Sequence, residues 1–333
     1  MLLGTWNLEN LYRPGGAFGP RTEAAYKAKL TTLAGVIRDL DPTLLGVQEV
    51  GDPAALEDLV GMLDGDWHIA LSAHPDSRGI RVGFLSRPAP RTITDTNRFP
   101  APLRPVQGDD DGEPVDRAGR GFLAVEIAVE TEAAPGMTLS VAVCHLKSKL
   151  LTYPGGRFQP RNEGERARYG AYALYRRAAE ATSLRAVADG LLDGRGKELN
   201  VAVLGDLNDE VTAATTQILQ GPPGSEIGTP GFERPDKGDA TRLWNIAPLI
   251  PEKQRFSRVH SGRPELIDHI LVSHRLLDHV TGAGAGTGAG GAGADGEGAG
   301  AQETPLPSVD ENPTDRRDAA GSDHAPVWAR IEP

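Results

Sequence analysis

Several residue types that mark particular protein classes are scarce in this sequence. The single cysteine, Cys144, excludes an intramolecular disulfide framework. Aromatic residues make up only 5% of 333 residues, and no apolar run is long enough to cross a membrane. The opening stretch from Met1 to Leu8 is typical of a strand rather than of an export signal. We therefore expect a soluble, cytoplasmic protein with no membrane association.

Basic residues are outnumbered, and the net charge of −11 argues against a protein that coats nucleic acid by bulk electrostatics. One stretch, 145–180, reverses this balance. It contains eight Lys and Arg against three Glu, a local charge of +5. The stretch is either a solvated helix face or a patch that faces phosphate groups. Tyr172 and Tyr175 within it are expected to belong to the core.

Hydrophobic periodicity predicts an α/β protein. The predicted strands span 2–8, 44–50, 81–85, 122–129, 139–146, 199–204, 266–272 and 327–331. The predicted helices span 21–40, 53–63 and about 163–192, and a Pro- and Gly-rich loop spans 99–119. Helices alternate with strands at first and consecutive strands follow, which indicates a mixed sheet or two stacked sheets with outer helices.

Glycine and alanine dominate residues 282–300, which cannot bury enough apolar surface to order themselves. We interpret this Gly/Ala tract as a flexible loop insertion within a single domain over residues 1–333. Tolerated loop length is favoured over a mobile flap above a site.

Polar residues recur where predicted strands end, which is where ligand sites of α/β sheets collect. They are Asn7, Glu9, Glu49, His145, Lys147, Asp206, Asn208, Asp268, Asp323 and His324. Taken singly, each has an ordinary explanation: Asn7 as a turn residue, or the stretch 206–209 as a helix cap. Together, oxygen ligands without clustered cysteines favour Mg²⁺ or Mn²⁺ over zinc. A metal, a His beside a carboxylate, and amides suit the hydrolysis of a phosphate ester.

Six short motifs, in this order along the chain, resemble those of the endonuclease/exonuclease/phosphatase superfamily. They read T-W-N-L-E-N-L, G-V-Q-E-V, C-H-L-K-S-K, G-D-L-N-D-E, L-I-D-H-I-L-V-S and G-S-D-H-A-P-V. The resemblance extends over almost the whole chain. It implies a four-layered α/β sandwich in which two packed mixed β-sheets are flanked by helices.

The resemblance also implies a role for each site residue. Glu49 resembles the principal metal ligand, and Asn7, Glu9 and Asp323 resemble further members of a Mg²⁺ or Mn²⁺ site. His145 resembles the histidine that contacts the scissile phosphate, and Asn208 the asparagine that holds a phosphate oxygen. Asp206 and His324 remain alternatives for the group that accepts the proton of the attacking water, with Asp268 orienting His324. Arg120 and Lys147 are assigned to the substrate phosphate, and His269 to a structural role.

The substrate stays open among three readings. The first is a Mg²⁺-dependent nuclease that acts on DNA as a monomer without a protein partner, favoured by the basic stretch and its interleaved aromatic residues. The second is a phosphodiesterase or phosphatase for a small or lipid-derived phosphate ester, which the acidic net charge favours. The third is an inactive binding module on the same fold.

Overall fold

Two six-stranded mixed β-sheets form the centre of the computed structural model, which describes residues 1–129, 136–287, 306–309 and 316–332. The strand order in the first sheet is β15 (Val280–Ala285), β17 (Val327–Ile331), β1 (Leu2–Leu11), β2 (Leu44–Val50), β4 (Arg81–Ser86) and β3 (His68–Leu71). The order in the second sheet is β11 (Trp244–Asn245), β14 (Asp268–Val272), β10 (Val201–Asp206), β9 (Met137–His145), β8 (Arg117–Val129) and β5 (Arg91–Arg98). Each sheet contains a parallel pair, β1 with β2 and β9 with β10.

The helices are α1 (Glu23–Leu40), α2 (Pro53–Val60), α3 (Glu163–Leu192), α4 (Ala214–Gln220) and α5 (His274–Leu277). The first of them begins at Thr22, whose Oγ1 accepts a hydrogen bond from the Ala25 amide at 3.1 Å. It ends at Asp41, which adopts the left-handed conformation with φ 45° directly before a proline. These local signals explain why the boundaries predicted for α1, 21–40, lie within two residues of the observed ones, whereas α2 ends three residues before its predicted end.

Three apolar clusters show how the layers pack. Leu33, Ile37 and Leu56 place α1 and α2 against the outer face of the first sheet. Leu184 and Ala188 place α3 against the outer face of the second sheet. A third cluster fills the space between the two sheets and includes the side chains of Leu3, Leu44, Phe84, Leu123, Val125, Leu204 and Ile270. The predicted four-layered α/β sandwich with two mixed sheets is thereby confirmed.

Two small sheets lie outside this sandwich. One is formed by β13 (Arg263–Glu265), β12 (Arg258–His260) and β16 (Ser308–Val309), and the other by β6 (Val106–Gln107) and β7 (Pro114–Val115). The predicted loop over 99–119 is therefore wrong in part, since it contains β6, β7 and the first residues of β8. Arg120 consequently lies within a strand rather than before one, because Gly119 and Gly121 hide the alternating pattern of that strand.

The first residues of the Gly/Ala tract are ordered as strand. Residues 282–285 belong to β15 and pair with β17, which corrects the prediction of a flexible insertion for this part. Gly284 lies under Trp328, where a Cβ atom would approach Cζ2 to 2.4 Å. Glycine here makes room for an indole, so the composition of the tract concealed a packing role. Residues 288–300 of the tract lie outside the described residues, and the prediction of a single domain with a flexible insertion stays a prediction.

The expectation that Tyr172 and Tyr175 belong to the core is wrong. Tyr172 is half-buried and Tyr175 is 49% exposed, whereas Tyr153 and Tyr169 are buried and their rings lie 5.1 Å apart. The reason is that α3 packs through small residues and leucines of its second half. Within the part of the chain that the structure describes, no helix is long and apolar enough to cross a membrane.

Candidate active site

The register of the second sheet brings three predicted site residues side by side. Asp206 at the end of β10 pairs with His145 at the end of β9 and with Asp268 at the start of β14. His145 Nε2 lies 3.4 Å from Asp206 Oδ2. All three side chains are almost completely buried. Polar groups buried this deeply at one sheet edge are costly unless they are paired or used in chemistry.

The first sheet supplies Asn7 and Glu49 from the adjacent strands β1 and β2. Both strands bulge at this end, with register shifts between Asn7 and Leu11 and between Val47 and Val50. Glu49 adopts a left-handed backbone with φ 60°, and its Oε2 accepts a hydrogen bond from the Asn10 amide at 2.8 Å. Such strained conformations in residues other than glycine concentrate at functional sites.

Hydrogen bonds connect these two groups across the sheets. Asn7 Nδ2 donates to Asp206 Oδ2 at 3.1 Å. Asn208 is another residue with a left-handed backbone (φ 52°). Its backbone N–H donates to Asp206 Oδ1 at 2.8 Å, and its side-chain Nδ2 donates to the Leu146 carbonyl at 2.9 Å. The alternative reading of 206–209 as a helix cap is not supported, because α4 begins at Ala214 after an uncapped Ala213.

His324 enters from the segment before β17. Its Nδ1 lies 2.6 Å from Asp268 Oδ2, its carbonyl accepts from Trp6 Nε1 at 2.8 Å, and its amide donates to Ser322 Oγ at 3.0 Å. The remaining ring nitrogen, Nε2, points toward Asp206 Oδ2 at 4.0 Å. The structure therefore brings together the Asp–His pair that the sequence predicted across 56 residues.

Burial and neighbouring charges set the protonation of this cluster. Burial, followed by the charge of Asp268, raises the pKa of Asp206 to about 7. Burial would lower the pKa of His324, but the carboxylates of Asp268, Asp323 and Asp206 outweigh it and raise that pKa to about 10. Burial and the nearby Arg120 charge hold the pKa of His145 well below its usual value. At neutral pH His324 is thus the cation of the group and His145 a neutral imidazole.

Arg120 and Lys147 lie beside His145 but are held by other groups. Arg120 forms an ion pair with Asp76 at 3.2 Å, and its Nε has no hydrogen-bond partner among the described residues. Lys147 Nζ donates to the carbonyls of Ser148 and Leu150 at 3.0 and 2.8 Å. Burial, with a smaller contribution from Arg176, lowers the Lys147 pKa to about 8. His269 hydrogen-bonds the Asp209 carbonyl at 2.9 Å, in accord with its predicted structural role.

Glu9 and Asp323 occupy a cluster that contains three basic residues, Arg316, Lys29 and Arg258. Both carboxylate oxygens of Glu9 accept hydrogen bonds from Arg316, at 2.6 and 2.8 Å, and Oε2 also accepts from the Asp323 amide at 2.9 Å. Lys29 is 3% exposed, and the charges of Glu9, Asp323 and Glu49 act on its ammonium group. Asp323 also lies 3.7 Å from Arg258.

Arg316 and Lys29 were not among the site residues predicted from the sequence. A signal existed for Lys29, because position 29 falls on the apolar stripe of α1 between Tyr26 and Leu33, where an ordinary surface lysine is not expected. No local pattern marks Arg316, whose partner lies 307 residues away in the chain.

Two sets of residues could hold a divalent metal. Ligand atoms of Asp206, Asp268 and His324 lie within 4.8 Å of one another. However, Asp268 already binds His324. The raised pKa of His324 keeps its imidazole protonated, and a protonated ring is a poor metal ligand. The set of Asn7, Glu49 and Asp323 offers only oxygen donors, which fits a hard cation. Burial lowers the pKa of the nearby Lys29, and the charges of Glu9, Asp323 and Glu49 oppose that shift.

A family model described as "Endonuclease/Exonuclease/phosphatase family" matches residues 4–324. The chain belongs to this family. The match includes every predicted site residue, and membership makes the protein a metal-dependent hydrolase of phosphate ester bonds. No curated protein matches the chain.

Solved structures of family members share this fold. A mannosyl-6-phosphatase from Bacteroides thetaiotaomicron is 16% identical with a TM-score of 0.53, and the match covers 100% of this chain and 99% of that one. A 3'-5' exonuclease from Neisseria meningitidis is 16% identical with a TM-score of 0.53 and full coverage of both chains. Truncated TDP2 from Caenorhabditis elegans is 13% identical with a TM-score of 0.52, covering 98% and 96%. At these identities the likeness shows the fold alone, so the substrate has to be argued from this chain's own residues.

Proposed function

We propose that this protein is a Mg²⁺-dependent nuclease that hydrolyses DNA by in-line attack of an activated water, as a monomer in the cytoplasm. The observation that carries the proposal is the convergence of two sheets on one point. Asn7 from the first sheet and His145 from the second both lie within 3.4 Å of Asp206 Oδ2, with Asp268 and His324 behind them.

Glu49, Asn7 and Asp323 are proposed to hold the metal, with Mn²⁺ as a substitute. When bound, Mg²⁺ offsets the charge of the phosphate and of the developing oxyanion. Glu49 is set in place by its bulged strand and by the Asn10 amide. Asn7 is fixed through the Glu9 amide, which donates to its Oδ1 at 2.9 Å. The metal ligands are thus held in position before substrate arrives.

Asp206 is proposed as the general base and His324 as a fixed cation. A group must be deprotonated to accept a proton from water, and a pKa near the working pH favours this transfer. The pKa of Asp206, about 7, meets this requirement, whereas His324, with a pKa of about 10, carries its proton at neutral pH. Asp268 orients His324 and stabilises its charge, so His324 Nε2 is proposed to donate to a phosphate oxygen.

His145, Asn208, Arg120 and Lys147 are proposed to bind the substrate phosphate. Arg120 lies near His145, since after burial its charge is the largest cause that lowers the pKa of that imidazole. Its unpartnered Nε is a buried donor that a phosphate oxygen can satisfy.

A pair of aromatic rings, the exposed Phe18 and the half-buried Tyr12, supports DNA as the substrate. Phe18 is 46% exposed, and its ring lies 5.8 Å from the ring of Tyr12. The charges of Glu49 and Arg120 act on Tyr12, whose hydroxyl donates to the Arg78 carbonyl at 2.9 Å. Unpaired bases stack on such rings without regard to sequence.

A small phosphate ester is the second candidate, and the basic stretch favours it. Six of its eight basic residues, five arginines and Lys149, form ion pairs with carboxylates. The ion pairs are Arg157–Glu165, Arg166–Glu163, Arg168–Asp110, Arg176–Glu180, Arg177–Asp209 and Lys149–Asp209. A paired cation contributes less to a phosphate patch than the bare count of charges indicates.

A plasmid-nicking assay with Mg²⁺, Mn²⁺, Ca²⁺ or EDTA tests the proposal. We expect supercoiled DNA to be cut only with Mg²⁺ or Mn²⁺, and His324→Ala to lose the activity. His68→Ala, on an exposed histidine of β3, is the matched control and should retain it. Intact DNA beside hydrolysis of a chromogenic phosphate diester would favour the small ester instead. Intact DNA and intact diester together would contradict both assignments.

A further inference from the structure

The cations around Glu9 form a built feature that the proposed chemistry does not use. Arg316 binds Glu9 through two parallel hydrogen bonds, the geometry in which a guanidinium holds a carboxylate most firmly. The Asp323 amide donates a third bond to Glu9 Oε2. Both oxygens of the Glu9 carboxylate therefore have hydrogen-bond partners within the protein.

Lys29 adds a second cation on the same side. It extends from α1, is 3% exposed, and has one hydrogen bond among the described residues, to the Gly321 carbonyl at 3.4 Å. Burial lowers the pKa of Lys29. The charges of Glu9, Asp323 and Glu49 oppose this shift, whereas the charge of Arg316 adds to it. A buried ammonium with so few bonds is stable here only because these carboxylates surround it.

We propose that Arg316 takes the place of a second metal ion at Glu9, so that the enzyme binds a single divalent cation at Glu49, Asn7 and Asp323. Glu9 is then a positioning residue that links Arg316 to the Asp323 backbone, rather than a metal ligand. The inference rests on the proposed metal site. Its physical basis is the pairing of Glu9: both carboxylate oxygens already bind Arg316, so Glu9 can hold a second cation only if Arg316 is displaced.

Metal stoichiometry measures this directly, without reference to activity. Mn²⁺ binding by equilibrium dialysis should give one ion per chain for the natural protein. Arg316→Ala should release the Glu9 carboxylate and raise the number to two, and adding Glu9→Gln to that variant should restore one. Lys29→Met should tighten Mn²⁺ binding several-fold, because a like charge beside the ion is removed.

Arg317→Ala is the matched control. Arg317 is the next residue along the chain, but it binds the carbonyls of Gly16 and Gly19 rather than Glu9, so one ion per chain is expected. Thermal unfolding followed by circular dichroism establishes that each variant is folded. Arg316→Gln, which removes the charge and keeps much of the side chain, serves if Arg316→Ala does not fold, and it should likewise bind two ions.

Three results would overturn the inference. Two ions on the natural protein would show that Arg316 does not exclude the second. A folded Arg316→Ala that still binds one ion would show that Glu9 was never competing. Glu9→Gln weakening Mn²⁺ binding as much as Glu49→Gln would make Glu9 a ligand. Absence of Mn²⁺ from every variant is a separate outcome, because it removes the proposed metal site itself.

Discussion

At the scale of single residues, the pKa values of Asp206 and His324 separate the roles of these two acid–base candidates. Asp206 Oδ2 and His324 Nε2 lie 4.0 Å apart, yet burial and neighbouring charges give the two side chains different roles. The carboxyl, buried beside Asp268, resists ionisation, while the imidazole, bonded to Asp268, resists losing its proton. The sequence left this choice open because it depends on burial and on distances of a few ångströms.

The pH dependence of the rate tests this division. Because Asp206 must be deprotonated, kcat/KM should rise with pH up to about 7, the raised pKa of that carboxyl. A bound cation favours the ionised carboxylate and moves this acid limb to lower pH. The rate should then hold until the pH approaches about 10, where His324 loses its proton. The measurement is a pH–rate profile with Mg²⁺ for the natural protein and Asp206→Asn.

Asp206→Asn should lower kcat/KM by about 10²–10⁴-fold, the usual contribution of a general base. It should also abolish the acid limb of the profile. An acid limb that persists in Asp206→Asn with an unchanged midpoint would contradict the assignment of the base to this residue.

Residues that stand at strand ends were predictable, and residues that join distant segments were not. The positions of His145, Asp206 and Asp268 follow from apolar runs that end in polar residues, and the observed register places the three side by side. The ion pair between Glu9 and Arg316 has no such signature, because the two residues meet only after both sheets have formed. Local patterns reveal what one element carries, whereas long-range pairs depend on topology.

Among the elements, strands with an alternating or continuous apolar pattern were predicted and edge strands were not. β2 and β17 begin and end where the sequence indicated, because both are buried by neighbours on each side. β5 reads R-T-I-T-D-T-N-R and β15 reads V-T-G-A-G-A, with little apolar content between them. Both lie at the edge of a sheet, where one neighbouring strand is enough and polar residues are tolerated.

Edge strand β15 offers a test of its unexpected role. Gly284→Ala should destabilise the protein by about 1–3 kcal/mol, the usual cost of overpacking, because the new Cβ would lie 2.4 Å from Trp328 Cζ2. Gly282→Ala is the matched control on the same strand. Its Cβ would lie 4.0 Å from the nearest atom, so a change within about 0.5 kcal/mol is expected. Urea unfolding measures both, and equal effects would contradict the packing argument.

Charge acts at the scale of the whole molecule, and there the count of charged residues was an incomplete guide. The net charge of −11 and the basic stretch were both evident, but the partners of the basic residues were not. Asp110 and Asp209, which lie far from the stretch in sequence, neutralise Arg168 and Arg177. A count of charges in one segment therefore overestimates the field that a phosphate backbone meets.

The salt dependence of DNA cleavage measures that field. If all eight cations of 145–180 contacted phosphates, the slope of log(kcat/KM) against log[NaCl] would be about −7, from roughly −0.9 for each neutralised phosphate. Because most of these cations are paired, we expect a slope of about −3 or shallower. Plasmid nicking between about 50 and 200 mM NaCl gives the slope in the range where such differences are resolved. Arg168→Ala removes a cation that is already bound to Asp110 at 2.7 Å, so this variant should leave the slope unchanged. A slope near −7 that becomes shallower in the variant would show that DNA displaces the internal ion pairs.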